Sequence, residues 1–428
     1  MRRRTLPLIL VYALLLIGLA SLNGALIALV LPLTVYLAAA LLYGPGQLKL
    51  RASRSLSDDR VHGGQAVTVH LKLVNEGGNL EEVLVQDLLP PGLRVVDGET
   101  SMVATLRSGG TLALSYQVQA RRGGFRFDQV RVTAGERFGL FHRHVSVSAP
   151  GELFVLPQPR PLKRVAIRPL RTRGYAGPVP ARQGGSGTDF FGVREYQVGD
   201  PRRWINWRIS ARHPRSLFSN EFEQERIADV GLILDARSRS DVRVGEQSLF
   251  EHAVQATASL AEAFLGDGNR VGLLIYGRVL DWTFPGYGKV QRERILRALA
   301  RARTGESQVF DHLSYLPTRF FPAQSQVVLV SPLWPDDLAM LVRLRARGYQ
   351  ALVVRPDLIE LEVMTLGADP AVELAARIAR VEWLLLVQRL RRAGIRVVDW
   401  KVEEPLDLAV YRSLGRRIHR PGLVGGRP

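Results

Sequence analysis

Between Arg194 and Glu225 the chain reads REYQVGDPRRWINWRISARHPRSLFSNEFEQE, and three chemistries fit those residue types. Arginines interleaved with Trp204 and Trp207 could track a nucleic-acid backbone and stack on its bases. The same residues could form a clamp of internal ion pairs and buried indoles, or a face on which a protein docks. Glu195, Asp200, Glu221, Glu223 and Glu225 interrupt the cations, which counts against a continuous nucleic-acid track. Trp204 and Trp207 are three residues apart and share a face if the stretch is helical; buried indoles of that spacing are more often core than platform. The expectation is a structural clamp, with docking compatible, built on Arg194, Glu195, Tyr196, Gly199, Asp200, Arg203, Trp204, Trp207, Ser210 and Arg212.

Other chemistry finds little support. There is no cysteine, which removes disulfides, thiol nucleophiles and Cys-ligated metals. The eight histidines are scattered, with no HExxH helix, and no G-x-S-x-G elbow marks a nucleophile. His142 and His144 fall on one side of a strand, where a surface pair is expected. The glycines of RQGGSG, residues 182–187, lack the GK[ST] ending of a P-loop and follow no apolar strand, so a flexible turn is expected there. No enzyme activity and no cofactor are expected.

The elements that must position these residues change character along the chain. After MRRR no charged side chain occurs until Lys49, and Leu6–Leu22 and Ala25–Tyr43 read as two apolar helices joined by SLNG. About 20 apolar residues cross a bilayer, so residues 1–48 are expected to form a transmembrane hairpin rather than a signal peptide. Arg2, Arg3 and Arg4 before it and Lys49, Arg51 and Arg54 after it place both flanks in the cytoplasm, at the inner membrane. Residues 49–157 alternate, as in QAVTVHLKLVN, with turn signals NEGG, PPG, RSGG and RRGG between runs, which predicts an immunoglobulin-like β-sandwich. Residues 158–228 read as a connector plus the arginine-tryptophan block. In residues 229–428 apolar strands alternate with amphipathic helices, predicting a doubly wound α/β domain with VLDWTF as an antiparallel edge. Asp235 ends the first of these strands, where ligands of such sheets sit. The net charge of +18 favours anionic partners. Only five of the cations are lysines, so the excess is arginine, whether from genome composition or for a ligand.

The block then carries a resemblance. R-E-Y (194–196), G-D (199–200), Arg203, Ile205, Trp207 and S-A-R (210–212), followed by EFEQE and VGLILDA, resemble the DUF58 family, whose α/β region looks like a von Willebrand factor A domain. ERFGLF (136–141) and FVLPQP (154–159) resemble that family's exit from its sandwich. The resemblance implies a protein-binding scaffold with a MoxR-type AAA+ ATPase as partner. It also implies a Mg²⁺ site made of D-x-S-x-S, a second-loop Thr or Ser and a third-loop Asp, hard ligands for a hard cation. This chain departs from it: Arg237 and Arg239 stand where two serines belong, and Ser331-Pro332 stands at the third-loop position. Ser238 and Ser240 would restore the site only through a one-residue shift; Thr304 and Ser307 lie near the second loop. The expectation is therefore a degenerate cation site at Asp235, Ser238 and Ser240 that holds no metal, with Asp235 paired to a neighbouring arginine and the arginines meeting acidic groups of a partner. The function expected is a membrane-anchored, non-enzymatic scaffold. The alternatives are a membrane-associated nucleic-acid-binding protein and a metal-dependent adhesion protein with a shifted cation site.

Overall fold

The computed structural model describes residues 2–22, 24–42, 48–135, 142–163, 165, 167, 172–173, 179–213, 215–244, 247–306, 312–313, 316–317, 320–367 and 369–414. The chain divides into two compact units, Met1–Leu156 and Pro157–Pro428. ERFGLF and Ser307 lie outside the described residues.

The first unit begins with α1 (Arg2–Ala20) and α2 (Gly24–Leu42). These are the two expected helices, but the expected transmembrane hairpin is overturned: among the described residues no helix is long and apolar enough to cross a membrane. Three arginines open α1 and leave about 16 residues, which rise roughly 24 Å against a hydrocarbon core of about 30 Å. Pro32 sits inside α2.

The strands of the sandwich follow: β1 (Leu50–Leu56), β2 (Arg60–His62), β3 (Val67–Asn75), β4 (Leu80–Asp87), β5 (Arg94–Gly98), β6 (Ser101–Leu106), β7 (Thr111–Gln119), β8 (Gly123–Gly135) and β9 (His142–Leu156). They form two sheets, ordered β1-β3-β7-β5 and β2-β9-β8-β4-β6. Both sheets turn side chains into one core. Val67, Val69, Leu71 and Leu73 alternate inward from β3, as their period of two requires, and meet Val83, Val85, Val130 and Val132. A polar cluster also lies inside the sandwich. Asp87 accepts from Tyr116 Oη at 2.6 Å and pairs with Arg54, whose guanidinium lies 4.6 Å over the Phe127 ring. Burial and the neighbouring Asp87 carboxylate both raise the Tyr116 phenol far above its ordinary value.

In the second unit β10 (Thr172–Arg173), β11 (Val179–Glu195), α3 (Trp207–Ser210) and β12 (Phe218–Ala236) come first. Then follow β13 (Arg243–Val244), β14 (Gln247–Ser248), α4 (Leu249–Gly266), β15 (Arg270–Gly277), β16 (Asp281–Gly286), α5 (Gly288–Arg301), β17 (Gln326–Val330), α6 (Leu338–Ala346), β18 (Gln350–Pro356), α7 (Leu358–Leu366), α8 (Pro370–Arg392), β19 (Arg396–Trp400) and α9 (Leu406–Leu414). The main sheet runs β16-β15-β12-β17-β18-β19, parallel except for the antiparallel edge β16. VGLILDA thus becomes the carboxyl half of its central strand. Ile233 joins a core with Leu274, Leu329, Met340, Leu341 and Leu390, while α4 packs against β12 and β15. Gly231 is a necessary gap: a Cβ there would lie 2.4 Å from the Phe321 ring.

The amino half of β12 does something the sequence did not announce. It pairs antiparallel with β11, from Glu195 opposite Phe218 to Val179 opposite Arg226. The glycines of RQGGSG therefore lie in a strand and not in a free turn. They mark its register shifts, at Ala181/Gly184 and Gly185/Phe190, the irregularities that glycine tolerates in strands.

Candidate functional site

Two polar assemblies sit at opposite ends of β12, separated by roughly 56 Å of extended chain at about 3.3 Å per residue. The block residues frame the amino end. Arg194, at the end of β11, donates to Asp200 Oδ1 at 2.7 Å and lies 3.7 Å from Glu221. The Gln197 amide donates to Asp200 Oδ2 at 3.0 Å, and Tyr196 Oη donates to the Asp200 carbonyl at 3.3 Å. Gly199 supplies the positive φ of +109° that lets this turn close. Hydrogen bonding from Arg194, then from the Gln197 amide, holds Asp200 below the usual carboxylate range.

Asn206 caps α3 by accepting from the Ile209 amide at 3.1 Å, while its own backbone amide donates to the Phe218 carbonyl at 2.8 Å. Buried Ser210 accepts from the Phe218 amide at 2.9 Å. Tyr196 and Asp200 thus close the turn on Arg194, while Arg194 through Glu221 and Ser210 through the Phe218 amide reach the start of β12. Glu195, Arg203 and Arg212 do not join these contacts and are exposed. The buried-indole expectation fails for Trp207. Trp204 ends a short 3-10 turn (Arg202–Trp204) while Trp207 begins α3, so no single helix carries both, and Trp207 is 67% exposed.

At the carboxyl end the arrangement is closed. Asp235 is the last residue but one of β12, and the chain turns through Ser238–Ser240. Arg237 folds back as a double fork. Its Nε and Nη2 donate to the two Asp235 oxygens at 2.9 and 2.7 Å. Its Nη1 and Nη2 donate to the two Asp337 oxygens at 2.9 and 2.8 Å. Ser240 Oγ and Ser331 Oγ each donate to Asp235 Oδ2 at 2.7 Å, and the Leu333 amide secures Ser331 at 3.0 Å. The Trp334 amide donates to Asp337 Oδ2 at 3.0 Å. Asp235, Arg237, Ser240, Ser331 and Asp337 are all buried, Arg237 to 1% exposure.

Burial works against the charge on Arg237, but its hydrogen bonds to two carboxylates outweigh it and raise its pKa, so the guanidinium stays cationic. Burial raises the Asp337 carboxyl; since the partners of its oxygens are all donors, the ionised form is the one its contacts satisfy. Around the rim Arg239 donates to Asp336 at 3.0 Å and lies 5.5 Å over the Trp334 ring, and His312 meets Asp336 at 2.7 Å. Burial raises Asp336, but hydrogen bonds with His312 and Arg239 more than offset it and leave the carboxyl below its ordinary range.

Of the predicted cation-site residues, Asp235 and Ser240 come together and Ser238 does not. Among the described residues no group of three or more His, Asp or Glu is placed to hold a metal. The donor set does not fit a divalent ion, because the space between Asp235 and Asp337 is filled by a guanidinium. The expectation that these arginines face a partner's acidic groups is also corrected. Arg237 is consumed inside, and Asp235, Asp336 and Asp337 outnumber Arg237 and Arg239. Asp337, 100 residues from Arg237, was missed; its signal was the PDD of residues 335–337 at a helix start, where acidic residues gather. Arg355 was missed as well. It is buried, donates to Asp399 at 2.8 Å and to the Pro332 carbonyl at 3.3 Å, and lies 3.9 Å over Trp383.

Both assemblies fall in one stretch of recognisable sequence. Residues 192–376 match the DUF58 family, described as a protein of unknown function. The DUF58 segment covers a little under half of the chain and leaves the sandwich outside. No curated protein matches the chain. Solved structures similar to part of it include the CARDB domain of a Pyrococcus furiosus protein (13% identity, 26% of this chain, 92% of that one, TM-score 0.20). The cupredoxin domain of amoB from Nitrosocaldus yellowstonii gives 10% identity, 26% and 89% coverage and a TM-score of 0.20. A non-cellulosomal cohesin from Archaeoglobus fulgidus gives 14% identity, 25% and 91% coverage and 0.18. At those TM-scores the similarities carry no argument.

Proposed function

We propose that the α/β unit is a von Willebrand factor A-like domain whose divalent cation has been replaced by the Arg237 guanidinium. In this reading the protein is a non-enzymatic, metal-independent docking module for a protein partner. The observation that carries it is the double fork of Arg237 between Asp235 and Asp337, at the point where the strand order reverses beside β12. A fixed positive charge about 4 Å from a divalent ion opposes it by roughly 8 kcal/mol even at an effective dielectric near 20. Mg²⁺ also demands near-octahedral oxygen coordination, which a guanidinium cannot supply. In this reading the buried arginine ties the loops that carry Asp235 and Asp337 together without exchanging with solvent ions.

Docking then belongs to the other end of β12, where Trp207 stands exposed beside Arg203, Arg208 and Arg212 on a pinned backbone. Tryptophan and arginine dominate the energetics of protein interfaces. The family resemblance makes a MoxR-type AAA+ ATPase the partner class to try. Calorimetric titration of Mg²⁺ and Mn²⁺ into the purified full chain should give no saturable binding, and a pull-down with the ATPase should survive EDTA. Joint Arg237→Ser and Arg239→Ser replacement should create metal binding where there was none. Micromolar metal binding by the unaltered chain, or loss of the partner in EDTA, would overturn the reading.

A further inference from the structure

Helix α8 is apolar on two opposite faces. Ala376, Trp383, Val387 and Leu390 turn inward against the domain. On the far side Leu374, Ile378, Val381 and Leu385 stand 51–57% exposed. Their spacing of four, three and four residues is the a/d repeat of a coiled-coil seam and keeps all four within one narrow stripe. Single exposed leucines are ordinary; an unbroken run of four in register on a 23-residue helix is not.

The charges beside the seam say what covers it. With Ile378 and Leu385 at a and Leu374 and Val381 at d, Arg377 takes a g position and Glu382 an e position, on opposite flanks. Both are exposed. Glu382 has no ion-pair partner within its own helix, because the residues three and four positions away are Ala379, Ile378, Leu385 and Leu386. Arg377 and Glu382 are five residues apart and point away from each other. That is the separation at which a g residue of one helix meets the e residue of a parallel neighbour. A second α8 laid parallel would bring Arg377 of each copy to Glu382 of the other, twice by symmetry, while the apolar stripe closes between them.

We propose that α8 is a homodimerisation helix, pairing in parallel with α8 of a second copy of this chain. The seam is short, so the dimer is weak and concentration-dependent, below the size of a permanent interface. Arg392 would fall at the next a position, where two like charges meet, which ends the seam and limits its strength. This pairing is independent of the cation-site reading.

Sedimentation velocity of the purified full chain over a concentration series tests it. A monomer–dimer equilibrium is expected, and Leu385→Glu should abolish it. Arg377→Glu should weaken the dimer about tenfold, because two attractive pairs become repulsive. Adding Glu382→Arg to that variant should restore association to within about threefold of the original chain. All three sites are exposed, so thermal melts followed by circular dichroism should superimpose and exclude misfolding. A monomer at every concentration overturns the proposal. So does a dimer indifferent to Leu385→Glu, or a charge swap that fails to rescue; the last would mean that copies meet by another geometry.

Discussion

The two ends of β12 use the same residue types to opposite effect. At the carboxyl end, arginine, aspartate and serine close on themselves: Asp235, Arg237, Ser240, Ser331 and Asp337 are all nearly inaccessible. At the amino end, Arg194 and Asp200 form a simpler pair in partial contact with water, and the neighbouring arginines and Trp207 face outward. Depth decides the difference. A guanidinium inside the sheet must be matched lone pair for lone pair, because an unmatched buried charge costs several kcal/mol. At the rim water completes the shell, so the cations need no matching carboxylate. Similar composition therefore builds a lock at one end and a surface at the other.

The sharpest break of this contrast is Arg237→Ala. It leaves Asp235 and Asp337 buried together without their cation and should cost about 3–5 kcal/mol in urea denaturation of the full chain. A loss under about 1 kcal/mol would mean that the carboxyl end is no more closed than the amino end. Ser331→Ala removes one donor from Asp235 and strands the Leu333 amide; about 1.5–3 kcal/mol is expected by the same measurement. Trp207→Ala should leave stability within about 0.5 kcal/mol while abolishing partner capture, since its indole is mostly in water. A large drop in stability would return Trp207 to the clamp.

The smallest effect concerns acid. Asp336 and Asp200 titrate below their unfolded values, so their contributions are present above the ordinary carboxylate range and vanish as pH falls through the folded values. Asp336→Asn and Asp200→Asn should each flatten stability against pH slightly as pH falls below about 4, the ordinary aspartate value. Thermal melts across that window check the sign: a variant that gains acid sensitivity contradicts it.

What was legible in the sequence was what period and local chemistry dictate. The alternation of Val67, Val69, Leu71 and Leu73 announced a sandwich strand, and VGLILDA announced a strand of a largely parallel sheet. The pairing of Asp235 with a nearby arginine followed from two guanidiniums standing where hydroxyls belonged. Non-local features were not legible. Asp337 reaches Arg237 only because β17 runs beside β12, and no pattern around residue 237 encodes that. The glycine-rich run became a strand because β12 extends far enough to offer it an edge, a tertiary override of local preference. The exposed Trp207 turned on a helix break at Ile205 and Asn206 that spacing alone did not reveal. Apolar length suggested a bilayer span, yet among the described residues no helix is long and apolar enough to cross a membrane.

The length of β12 has a mechanical side. One uninterrupted strand runs from Phe218 to Ala236, and its carboxyl half is held by eight register pairs to β15 and five to β17. A pull applied by a bound partner at Phe218 would travel along the strand axis and meet those ladders lengthwise. Hydrogen bonds loaded in that direction share the force and yield together, instead of peeling one after another. Arg237 sits at the far anchor of that line, bolting the strand's end to the loop after β17. If the proposed docking site is its grip, the domain is a tension member with Arg237 as its stop.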